Sequence, residues 1–177
     1  MQQLCEVKIE TYLAADNPFD VVSRPDVCER CRKGRFHRHG TYWRYIEKKH
    51  VRVTRFLCAV CGLTVSMLPM FVLPYRNQLV ETVDRYVRAE HEVRIEMSDG
   101  DVLRRYWRQW VGHVEALQRD TAWPPERPLA REPKAYWKQM GGTAGNMPAA
   151  QKHLTECFGV SLLRRYACHV KPERIFC

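Results

Sequence analysis

No run of apolar residues in this 177-residue sequence approaches the ~20 needed to cross a bilayer as a helix, so a membrane partner is not expected. Residues Met1 to Glu10 carry no basic segment followed by an apolar stretch. No secretory signal is therefore expected, and the reading is cytoplasmic. Acidic charge is scarce: 20 Asp and Glu stand against 29 Lys and Arg, a formal charge of +9. Motifs of catalysis are missing too. There is no His-Glu-x-x-His, no nucleophile elbow and no phosphate loop. The stretch Gly141-Gly142-Thr143-Ala144-Gly145-Asn146 lacks the Gly-Lys-Ser/Thr ending and a preceding buried strand, so it reads as a flexible loop. Asp99 and Asp101 are near neighbours, but a helix-capping turn accounts for both. Enzymatic activity is not expected.

Cysteine, by contrast, is plentiful, with eight in the chain. Four form two pairs, Cys28-Glu-Arg-Cys31 and Cys58-Ala-Val-Cys61, with 26 residues between them. A Cys-x-x-Cys turn sets two sulfurs on one side of a tight loop, and two such turns complete the tetrahedron that zinc prefers. The predicted cofactor is one structural Zn²⁺ held by Cys28, Cys31, Cys58 and Cys61. Two unrelated pairs, redox-active or merely buried, are the alternative. Paired spacing without a signal favours a reducing compartment and metal over a disulfide framework. Cys5, Cys157, Cys168 and Cys177 are left without an assigned role.

The stretch between the pairs predicts a β-hairpin. Thr41 to Ile46 is rich in strand formers, Glu47-Lys48-Lys49 is a polar reversal, and His50 to Leu57 returns the chain to Cys58. His37 to Gly40 reads as a turn before it, and Thr64 to Ser66 as a candidate third strand. Cations concentrate here: Arg35, Arg38, Arg44, Lys48, Lys49, Arg52 and Arg55 interleave with Tyr42, Trp43 and Tyr45. Such a mixture suits contact with nucleic acid, with Arg and Lys on phosphates and rings on sugars or bases. A small aromatic core with a solvated basic face is the other reading.

Elsewhere the pattern is helical or irregular. Residues 1–15 alternate weakly, as a short strand does, and Phe19 to Val22 reads as a second strand or an anchor. Leu68 to Arg76 is an extended, proline-bounded connector whose apolar residues would dock the ribbon onto the helices after it. Asn77 is a candidate N-cap for a helix near 78–89, residues 90–97 are ambiguous, and Ser98 to Asp101 forms a turn. A strong amphipathic helix comes next at about 101–119, with Arg104, Arg105 and Arg108 near its start. Helix, turn and Arg-bearing helix outline either a helix-turn-helix or an ordinary helical hairpin. Residues 121–134 read as an extended proline-rich linker. Beyond it lie a helix over 148–158 and a short one over 160–167 carrying Arg164 and Arg165. The predicted class is α+β: a strand region and ribbon over 1–76, helices over 77–120, the linker, and a small helical tail over 135–177.

The run Cys28-x-x-Cys31, Arg38-His39-Gly40-x-Tyr42-Trp43-Arg44, Arg52-Val53-x-Arg55-Phe56-x-Cys58-x-x-Cys61-Gly62-x-Thr64 and Leu68-Pro69-x-Phe71-x-x-Pro74-Tyr75-Arg76 resembles the zinc-binding head of bacterial insertion-sequence transposases. It is more similar still to small bacterial proteins, associated with mobile elements, that keep this head and a helix-turn-helix but lack the catalytic domain. Val102 to Trp107 matches the last helix of that family, whereas the middle helix is shortened here. The resemblance spans about residues 19–111. It implies an accessory DNA-binding role, with double-stranded DNA and a transposase or recombinase as partners. A docking module for a larger recombinase and a transcriptional regulator are the alternatives. The carboxylate triad of retroviral-type transposases needs a sheet that the remaining length cannot supply.

Overall fold

In the computed structural model, residues 2–90, 94, 97, 99–126 and 128–163 are described. They form an α+β structure whose two compact units meet in the sequence at Leu79 and Val80. The first unit contains β1 (Gln2–Cys5), α1 (Ile9–Ala14), a 3₁₀ turn (Pro18–Asp20), β2 (Phe36–Ile46), β3 (Lys49–Cys58) and β4 (Thr64–Pro69). The sheet order is β1-β4-β3-β2, with β1 parallel to β4 and the other pairs antiparallel.

The hairpin β2–β3 is longer than the composition of Thr41 to Ile46 suggests. His37 to Gly40, expected as a turn, is strand: Phe36 pairs with Cys58, His37 with Leu57 and Arg38 with Phe56. The ladder then skips His39 and resumes with Gly40 opposite Arg55. Such a bulge needs an unusual backbone, and Gly40 supplies it at φ +131°. Pairing with distant β3 overrides the local turn signal.

Burial changes face along this hairpin. Near the cysteines, Phe36, Phe56, Cys58 and Val65 share one buried face, against which Phe19 packs edge-on at 5.3 Å from Phe56. Toward the tip the opposite face is buried, through Ile46, Val51 and Val53. Phe19 therefore anchors from the 3₁₀ turn and not from a strand. Residues 1–15 hold a helix as well as the expected strand, and the Tyr12 hydroxyl of α1 donates to the Arg52 carbonyl.

The hairpin tip is a two-residue turn in which Glu47 (φ 48°) and Lys48 (φ 65°) are both left-handed. This geometry suits the twist of a hairpin but usually takes Asn or Gly. Compensation comes from residues 77–79. The Glu47 N–H donates to the Asn77 carbonyl at 3.1 Å, and its carboxylate accepts the Leu79 N–H at 2.9 Å. Asn77 therefore does not cap a helix. It lies in a return of the connector, where Val72 bridges Leu79. Phe71 and Val72 join the core of the sheet itself.

In the second unit are α2 (Val80–Arg88), α3 (Gly100–Thr121), α4 (Pro133–Thr143) and α5 (Met147–Phe158). The helices expected near 78–89, 101–119 and 148–158 occur at these bounds. Most of 90–97, where a middle helix would lie, is outside the described residues; Val160 to Leu163, expected to begin a helix, are a bridge and a turn, and Arg164, Arg165 and the rest of that segment are outside the described residues.

The proline-rich stretch is packed, not extended. Trp123 is buried, its carbonyl accepts the Tyr136 hydroxyl at 2.5 Å, and Ala130 is held by Gln118 at 2.8 Å and Gln139 at 3.0 Å. Glu132 caps α4 by accepting the N–H groups of Lys134 and Ala135. That helix runs through Gly141, Gly142 and Thr143, so the first half of the expected loop is helix and only Ala144 to Asn146 turn the chain into α5. A side chain on Gly141 would come within 2.9 Å of Met147 Sδ, so α5 can pack close.

The core of this unit is aromatic. Trp110 stacks on Tyr136 at 5.8 Å and meets Trp137 edge-on at 4.9 Å. Each indole N–H is satisfied: Trp110 donates to the Pro133 carbonyl at 3.0 Å and Trp137 to Asp84 at 2.7 Å. Arg94 closes α2 by donating to the carbonyls of Tyr86 (2.9 Å) and Val87 (2.7 Å), and it lies 5.2 Å from the rings of both Tyr86 and Trp107. Charged hydrogen bonds to helix-terminal carbonyls contribute about 1.5–3 kcal/mol. Arg94→Ala is expected to lower unfolding stability by about that amount in urea titration. An unchanged midpoint would remove Arg94 from the supports of this unit.

Candidate metal centre

Both cysteine turns have the same backbone. In the first, the Cys28 N–H donates to the Lys33 carbonyl (2.9 Å) and the Arg32 N–H to the Cys28 carbonyl (2.7 Å). In the second, the Cys58 N–H donates to the Leu63 carbonyl (2.9 Å) and the Gly62 N–H to the Cys58 carbonyl (3.0 Å). The residue after the second cysteine is left-handed in each, Arg32 at φ 58° and Gly62 at φ 71°. This turn aims further N–H groups at sulfur: Lys33 N–H bonds Cys31, and Leu63 N–H bonds Cys61. Two other contacts tie the turns to the sheet. Ala59 N–H donates to the Arg35 carbonyl at 2.8 Å, and Gln3 of β1 donates to Glu29 at 2.9 Å.

The four sulfurs converge, all lying within 4.8 Å of one another. Cys28 Sγ is 3.6 Å from Cys61 Sγ, and Cys31 Sγ is 3.5 Å from Cys58 Sγ. A tetrahedral site with metal–sulfur bonds of ~2.3 Å calls for sulfurs ~3.8 Å apart. A disulfide calls for ~2.05 Å. The donor set thus fits a metal ion such as zinc, and its thiols are free.

The crowded thiols displace one another's proton affinities in opposite directions. Burial raises the Cys58 thiol, but the N–H groups of Cys61 and Val60 and the thiols of Cys31 and Cys28 bring it down to about 6. The Lys33 N–H lowers Cys31, yet burial and proton sharing with Cys58, Cys28 and Cys61 push it up to about 12. Cys61 is also raised: the Leu63 N–H lowers it, while burial and the thiols of Cys28 and Cys58 outweigh that.

The predicted contact residues separate into distinct environments. Lys48 and Lys49 are exposed at the hairpin tip, and Arg35 is exposed beside the first cysteine turn. Arg52 shares the outer tip face with Trp43, 5.6 Å from its ring, and donates to the Asp16 carbonyl at 2.8 Å. Arg38 pairs with Asp20 at 3.4 Å and covers the Phe19 ring at 5.2 Å. Arg55 is half-buried opposite the Gly40 bulge. Arg44 has internal partners: its guanidinium donates to the carbonyls of Arg76 (2.6 Å) and Leu73 (3.5 Å), so it secures the connector. In the second unit Arg104, Arg105 and Arg108 are exposed on α3, with Arg104 paired to Asp101 at 3.4 Å.

Two contributors escape the sequence reading. Glu47 reads only as part of a polar reversal, and Arg94 falls in an ambiguous stretch. A residue reaching carbonyls or amides far along the chain leaves no local pattern. Of the remaining cysteines, Cys5 is buried in the sheet core, and Cys157 lies 3.6 Å from His153 Nδ1. Cys168 and Cys177 are outside the described residues. Comparison with protein-family models, with curated proteins and with solved structures finds no match.

Cys28→Ser is expected to abolish stoichiometric metal binding in native mass spectrometry and to unfold the hairpin end, since small metal modules draw much of their folding energy from the ion. A folded variant with one metal per chain would refute the four-thiolate assignment. Arg32→Gly matches the first turn to the second and relieves a left-handed side chain, a strain of about 1–2 kcal/mol. The metal-loaded variant is expected to unfold at higher denaturant concentration; a lower midpoint would mean that the Arg32 side chain supports the site.

Proposed function

We propose that this chain is a non-catalytic, zinc-dependent DNA-binding protein that serves a bacterial mobile element as an accessory factor. The observation that carries the reading is the division of labour along the hairpin. One end gathers four thiols. The other end exposes Lys48 and Lys49 beside Arg52 and two uncovered rings. Four cysteines fill the tetrahedron of zinc and leave no position for water or substrate, which favours a structural ion over a catalytic one.

In this reading the ion fixes the strands and the cations neutralise phosphates. Affinity then comes mainly from counterion release, which is indifferent to sequence. Helices α2 and α3 act as the outer helices of a helix-turn-helix, with Arg104, Arg105 and Arg108 on its DNA side. The mobile-element role rests on the resemblance of the cysteine-to-Arg76 motif to transposase heads. Bound at element ends, the protein would mark sites for a transposase or recombinase.

A salt series on the zinc-loaded chain tests the DNA reading. Fluorescence anisotropy with a labelled duplex is expected to give a log–log slope of about −0.9 per phosphate neutralised. Replacing Lys48 and Lys49 together by Ala should flatten that slope by about two phosphates. No binding at low salt would sink the proposal.

A further inference from the structure

The outer face of the hairpin tip is built in a way that phosphate binding alone does not require. Trp43 and Tyr45 occupy alternate positions of β2 on one face, ~7 Å apart along the strand. They are 61% and 56% exposed, among the most exposed large side chains in the described residues. Across the ladder, Trp43 faces Arg52 and Tyr45 faces His50. The His50 ring meets Tyr45 edge-on at 5.3 Å and tilts against Trp43 at 6.1 Å. Arg52 lies 5.6 Å from the Trp43 ring. Here the core is on the opposite face, under Ile46, Val51 and Val53. The rings therefore do not serve the core.

The geometry points to a stacking platform for unpaired bases: Trp43, Tyr45 and His50 would each take a base face of single-stranded DNA while Lys48, Lys49 and Arg52 hold its phosphates. This rests on the DNA-binding reading and narrows it. In a duplex, base faces are already stacked on one another and hidden from such rings, whereas an unpaired strand offers them. Charge complementarity favours this occupant over an apolar protein surface. The carboxylate in the tip turn, Glu47, is turned away to the Leu79 N–H, Arg52 shares the face of the rings, and Lys48 and Lys49 are exposed at the turn that ends it. A strand platform is flat and sequence-tolerant, because every base has a π face.

The test compares a labelled oligothymidine with a duplex of equal length, on the zinc-loaded full chain at fixed salt. Stacking is worth about 1–3 kcal/mol per base, so Trp43→Ala and Tyr45→Ala should each weaken single-strand binding about 5- to 150-fold. Duplex affinity should hardly change, and Trp43→Phe and Tyr45→Phe should retain most single-strand affinity. Metal content and circular dichroism establish that each variant is folded, which the exposure of both rings favours. If the Ala variants weaken both DNAs equally, or neither, the platform is overturned while the DNA-binding reading stands. If the unaltered protein binds neither DNA at low salt, both readings fall together.

Discussion

The cysteine end of the first unit is organised by bringing four sulfurs to one point. Thiols packed this closely compete for protons, and the opposed displacements of Cys58 and Cys31 express that conflict. A divalent ion such as zinc would resolve it by replacing protons with a doubly charged centre. Because one cysteine turn precedes β2 and the other follows β3, the cluster joins stretches far apart in the sequence. The sulfurs of Cys28 and Cys61 meet beside Phe36 and Cys58, the first pair of the ladder. The aromatic contact between Phe19 and Phe56 then covers the buried face beside the site.

Away from the site the hairpin has to find other support, and it changes face to do so. At the tip, aliphatic side chains from β2 and β3 bury the opposite face, and the left-handed pair Glu47 and Lys48 is held by residues 77–79. Arg44 acts in the same place, fastening the connector through the carbonyls of Leu73 and Arg76. The buried core lies on one side of the tip. Its other side carries Trp43, Tyr45 and His50, exposed on the paired strands.

Legibility in the sequence tracks the range of the forces involved. Cysteine spacing is local, and the four ligands are legible from it, as are the strands from Thr41 and His50 onward and the long helices with their periodic apolar faces. Long-range partners are not. Gly40 looks like a turn because its ladder partner, Arg55, belongs to another strand. Arg44 looks like a DNA contact because charge is visible in a sequence while a carbonyl 32 residues away is not. The proline-rich stretch looks extended because Pro disfavours helix and strand, yet Trp123 within it is drawn into the aromatic core. A Trp in such a stretch is the one available warning.

The skipped residue His39 gives the hairpin a reserve of chain. Because of it, even-numbered Phe36 and odd-numbered Trp43 share a face, an arrangement that strict alternation forbids. A residue lost near Gly40 could be absorbed by straightening the bulge, leaving every other pair in place. A residue gained there has no such outlet. It must enlarge the kink or slip the register, and a slip of one would turn the rings inward. In evolutionary terms this strand is free to shorten by one and is resistant to lengthening. Its natural variation in length should therefore be lopsided.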